Sequence, residues 1–110
     1  MQHWDLMTLG VEPRHPQILQ SKRGEGRAIA IHLPAGESLQ DHEVHERAYL
    51  TVVSGEVEVE AGETVQAGAG ALLVFDPTER HAVRATTDAR LLLVLAPWPG
   101  DGHPGSRDAH

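Results

Sequence analysis

The chain has 110 residues, among them eight histidines, 11 glycines and 7 prolines, and no cysteine. A net charge of -7, from 16 acidic and 9 basic side chains, leaves no basic patch for nucleic-acid phosphates and disfavours anionic membranes. Without cysteine there is no disulfide, no thiolate nucleophile and no Cys-based metal centre, and the length suits one domain that buries about two thirds of its unfolded surface.

Residues 1–20 form an N-terminal segment interrupted by Pro13 and Pro16. Its apolar positions, Leu6, Leu9, Val11, Ile18 and Leu19, suit an edge strand added to a partner chain. The start has no basic stretch followed by an apolar one, so no secretory signal is expected. No apolar run approaches the roughly 18 residues of a membrane span. The expected compartment is the cytoplasm, with neither nucleic acid nor membrane as a partner.

Residues 21–96 read as a barrel built of strands. Arg27–Leu33 alternates, with Ile29, Ile31 and Leu33 on one face. Ala48–Ser54 is apolar and β-branched, and Glu56–Glu60 alternates strictly, turning Val57 and Val59 inward. Thr64–Ala67, Ala71–Phe75, His81–Ala85 and Arg90–Leu95 complete the series. Turn chemistry separates them, as in Pro34-Ala-Gly36, Ser54-Gly55, Gly68-Ala-Gly70 and Asp76-Pro-Thr-Glu79. Short strands at this spacing predict an all-β sandwich or barrel. Helical spacing is nowhere sustained. Residues 97–110, rich in Pro and Gly, cannot join a ladder and are expected to form a mobile or loosely docked tail.

The densest set of chemically capable side chains is His42-Glu43-Val44-His45-Glu46, and His81 lies on a later strand just past the Pro77 turn. Imidazole and carboxylate without thiolate suit iron, manganese, nickel, copper or zinc. The order Gly36, five residues, His42, then Ser54-Gly55, followed by Gly70-Ala-Leu-Leu-Val-Phe-Asp-Pro77-Thr-Glu-Arg-His81, resembles the two motifs of the cupin superfamily. That resemblance implies a single double-stranded β-helix barrel of the jelly-roll type.

The departures from the family pattern carry the functional expectation. The family's metal ligands fall on His42, Val44, Ala48 and His81, of which two can bind a metal, and Thr78 stands where the second motif has glycine. Glu46 shares the parity of His42 on a regular strand, and one bulged residue would bring His45 round instead. The pocket is expected inside the barrel, lined by His42, Val44, Ala48, Leu50, Leu73 and His81. The expected function is binding of a small organic ligand without the full metal site. The alternative is a divalent-metal enzyme of dioxygenase or isomerase type, as the resemblance implies, using His42, His81 and a displaced Glu46 or His45. A homodimer is expected by analogy with similar small barrels. Phe75 is expected in the core, and Trp4 and Trp98 are expected to cover the barrel or a partner chain.

Overall fold

The computed structural model describes residues 1–42 and 44–103, excluding the side chains of residues 40–42. Nine strands follow one another, with no helix among the described residues: β1 (Gln17–Lys22), β2 (Gly26–Leu33), β3 (Ser38–His42), β4 (Arg47–Ser54), β5 (Glu56–Ala61), β6 (Glu63–Gly68), β7 (Leu72–Phe75), β8 (His81–Ala85) and β9 (Ala89–Ala96). They form two antiparallel sheets, ordered β1-β2-β9-β4-β7 and β3-β8-β5-β6. This is the expected all-β double-stranded β-helix. One of the strands, β3, was not expected from the residue pattern. β1 overlaps the end of the N-terminal segment, where an edge strand for a partner chain was expected, and it pairs with β2 of its own chain.

Alternation explains the core. On β4, Ala48, Leu50 and Val52 turn inward, while Arg47, Tyr49 and Thr51 face out. Register carries the same parity across the sheet, with Leu50 opposite Leu93 and Leu73, and Ala48 opposite Leu95 and Phe75. The second sheet contributes Val57, Val59, Val83 and Ala85 from the facing side. Each fully buried Leu or Val stabilises the fold by about 1.5–3 kcal/mol relative to exposure.

Two turns have backbone demands that their residues meet differently. Gly55, between β4 and β5, has φ +80, and a Cβ there would lie 2.1 Å from the Asp88 carbonyl oxygen. Only glycine fits such an approach. In the Asp76–Glu79 turn the left-handed position is taken by Thr78, with φ +67. The turn closes through Glu79 N–H to the Asp76 carbonyl, and Thr78 N–H donates to the Val44 carbonyl at 2.7 Å.

Both terminal segments are docked. The Arg90 guanidinium donates to the Leu9 carbonyl, and His32 Nδ1 donates to the Val11 carbonyl at 3.1 Å, laying residues 5–11 against the outside of the five-stranded sheet. At the other end of the chain, residues 97–103 fold back over the end of the barrel where β2 and β4 begin. The expected tail is thus docked as far as His103, and residues 104–110 lie outside the described residues.

Candidate functional site

The ends of β3 and β7 and the starts of β4 and β8 converge at one end of the barrel. His42 and His81 are register partners across β3 and β8, so the two motif histidines come together at the backbone level. The side chain of His42 is outside the described residues. His81 is buried, 4% exposed, and its ring stacks on Phe75 with centroids 4.0 Å apart and planes 6° from parallel. Its Nδ1 lies 3.0 Å from the Glu79 carbonyl oxygen. A carbonyl only accepts, so Nδ1 carries the proton and the tautomer is set by the turn.

The remaining sequence candidates sit in three settings. Val44 packs against the core as hydrocarbon, and Ala48 and Leu50, 0% and 2% exposed, are inside it. The barrel interior is therefore filled around two of the residues expected to line a pocket. Glu46, 1% exposed, turns to the C-terminal segment: Oε2 accepts the Gly100 N–H at 2.7 Å and lies 2.9 Å from His103 Nδ1, outside hydrogen-bond geometry for that ring nitrogen. Its Oε1 is buried without a hydrogen-bond partner among the described residues. The His45 ring meets His103 edge-on, at 5.8 Å between centroids.

A metal is the group this type of barrel implies, and the described side chains, which leave out His42 and Glu43, do not make up the family's ligand set. A catalytic metal rests on about three protein ligands. Two of the four family positions carry the hydrocarbon side chains Val44 and Ala48, and Glu46 gives one of its two oxygens to Gly100. Among the described residues no group of three His, Asp or Glu side chains is arranged to hold a metal ion. No step is derived through one.

A cavity of about 430 Å³ opens where the two sheets part, between the edge strands β6 and β7. Its floor is Val59, Ala67, Leu73 and Phe75, and its rim includes Val65, Leu72 and Val74. Among the described residues Leu73 is the one shared with the expected pocket. Phe75 connects the two regions, since it faces the cavity and also stacks on His81. Two carboxylates, Glu63 and Glu79, stand at the lining, and no Lys, Arg or His is among the described residues that line it. Glu79 is held in place by the Asp76 N–H, which donates to its Oε1 at 2.9 Å. On the outer side of the same region Arg47 donates to the Asp76 carboxylate, and that bond raises the Arg47 pKa above its ordinary value.

Missed lining residues on β5 and β6 include Val59, Val65 and Ala67, which look like ordinary inward positions of a hairpin. The signal that marks them is the sheet order, which leaves β6 and β7 both unpaired on one side.

No match was found among curated proteins. Solved structures match well. An RmlC-like cupin protein from Desulfovibrio desulfuricans is 24% identical, with a TM-score of 0.78 over 88% of this chain and 97% of that one. A conserved protein of unknown function from Streptococcus pyogenes is 23% identical, with a TM-score of 0.72 over 86% and 85%. A protein with a double-stranded β-helix domain from Klebsiella pneumoniae is 18% identical, with a TM-score of 0.75 over 88% and 90%. A family model for the cupin domain matches residues 30–96, which takes in both motifs and every strand from β3 to β9. The chain belongs to the cupin domain family.

Proposed function

We propose that this cupin domain binds a small organic ligand in the cleft between β6 and β7. The observation that carries the reading is the cavity of about 430 Å³ with a hydrocarbon floor. That volume falls within the range of about 300–1,000 Å³ typical of small-molecule sites. Burial of ligand hydrocarbon against Val59, Leu73 and Phe75 supplies the affinity. Glu63 and Glu79 favour a neutral or cationic group at the rim over an anionic one.

The test is to fill the cleft. Ala71 lines it beside Leu73, and Ala71→Phe places an aromatic ring in the space. Small molecules retained by the purified protein, extracted and identified by mass spectrometry, are expected from the unaltered chain and lost from folded Ala71→Phe. Equal retention by both proteins would contradict the reading.

A further inference from the structure

Arg27 begins the inner row of β2. It stands opposite Ser21 on β1 and Leu95 on β9, so its side chain leaves the sheet on the buried side, at the end of the barrel. Two contacts fix the guanidinium. Nε donates to Ser21 Oγ at 2.9 Å, and the guanidinium carbon sits 3.9 Å above the Trp98 ring. Trp98 is itself held: its carbonyl accepts the Gly24 N–H at 2.6 Å, its ring packs against the core, and His103 meets it at 4.5 Å. Ser21, Arg23, Arg27, Trp98, Pro99 and His103 line a concavity of about 330 Å³.

The charge pattern of this concavity runs against that of the molecule. Arg14, Lys22, Arg47 and Arg84 each pair with a carboxylate, on Glu37, Glu25, Asp76 and Glu58 respectively. Arg27 has no carboxylate partner among the described residues, and Ser21 takes only its Nε. Among the described residues neither Nη group has a hydrogen-bond partner, so both can serve a ligand. A guanidinium presents them as a planar fork that matches two oxygens of a carboxylate or phosphate. Because Ser21 and Trp98 already hold the fork in place, little side-chain entropy is left to lose on binding. His103, with Nδ1 facing Glu46, adds a second nitrogen-bearing wall.

We propose that this concavity is a binding site for a small oxyanion, a carboxylate or a phosphate, gripped by the two Nη groups of Arg27 over Trp98. The net charge of -7 opposes any anion at long range, so the affinity is modest.

Trp98 reports on the site. The Trp4→Phe protein, whose remaining tryptophan is Trp98, is titrated with inorganic phosphate, acetate and chloride at constant ionic strength. Trp98 emission and the Arg27 Nε–H resonance are followed together. Saturable binding of phosphate or acetate with Kd about 1 mM is expected, with no response to chloride. The tighter of the two oxyanions names the ligand class. Arg27→Gln removes the response, and Arg27→Lys, which keeps the charge without the fork, weakens it about tenfold. The proposal is overturned if neither oxyanion saturates below about 50 mM. It is overturned equally by unchanged affinity in an Arg27→Gln protein with native circular dichroism. Should Arg27→Gln not fold, unchanged affinity in Arg27→Lys overturns it.

Discussion

The Glu46 carboxylate accepts the backbone N–H of Gly100 at 2.7 Å, joining the β3–β4 connection to a segment far along the chain. A Cβ on Gly100 would lie 2.3 Å from the His45 carbonyl oxygen, so the approach depends on glycine at that position. A hydrogen bond between a charged group and a buried partner contributes about 1.5–3 kcal/mol. Glu46→Ala is expected to lower stability by about 2 kcal/mol. Amide exchange at Gly100 should accelerate by more than exchange at Leu50. Urea unfolding and residue-resolved hydrogen exchange check this, and unchanged protection at Gly100 would contradict it.

Thr78 occupies a left-handed turn position, φ +67, behind Pro77. A β-branched residue there is sterically costly, and a turn of this kind prefers Gly or Asn. Thr78→Asn is expected to raise stability by about 1 kcal/mol, read as a shift in the denaturant midpoint at constant m-value. A lower midpoint would mean that the Thr78 side chain makes a compensating contact.

The two faces of the β4–β7 pair predict opposite responses. Leu50, 2% exposed, lies among buried side chains, so Leu50→Ala should cost about 2–5 kcal/mol. Leu72, 60% exposed, lies on the outer face, and Leu72→Ser should change stability by less than about 0.5 kcal/mol in the isolated chain. Thermal unfolding of both variants checks the assignment of faces.

A second copy of the chain is the proposed partner. β7 is an edge strand that leaves Leu72 and Val74 60% and 47% exposed, and unpaired, apolar edges invite pairing. Light scattering at micromolar concentration should give the mass of two chains, and Leu72→Glu combined with Val74→Glu should return one. A single-chain mass for the unaltered protein would contradict the dimer.

The sequence makes the strands legible where a face is buried. β4, β5 and β8 alternate cleanly, and their ranges in the structure lie within a residue of those read from the pattern. β1 is almost wholly exposed, so no hydrophobic period marks it, and β3, Ser38-Leu-Gln-Asp-His42, holds one apolar residue. The meeting of His42 with His81 is what the family resemblance implies, and the register of β3 and β8 brings their backbones together. The direction of Glu46 has no such signal, because its partner Gly100 lies in a Pro- and Gly-rich stretch with no periodicity at all. The cleft is equally silent in local patterning. It exists because sheet order leaves β6 and β7 facing each other unpaired, a property of the whole topology rather than of any strand.

Ligand binding in that cleft is tested most directly by nuclear magnetic resonance. The 15N-labelled protein is titrated with benzyl alcohol, a neutral aromatic probe sized for the cavity. Saturable shifts are expected at the amides of Val59, Ala67, Ala71 and Phe75, with Leu91 in the closed core unaffected. Shifts that never saturate, or that cluster away from β6 and β7, would contradict the account.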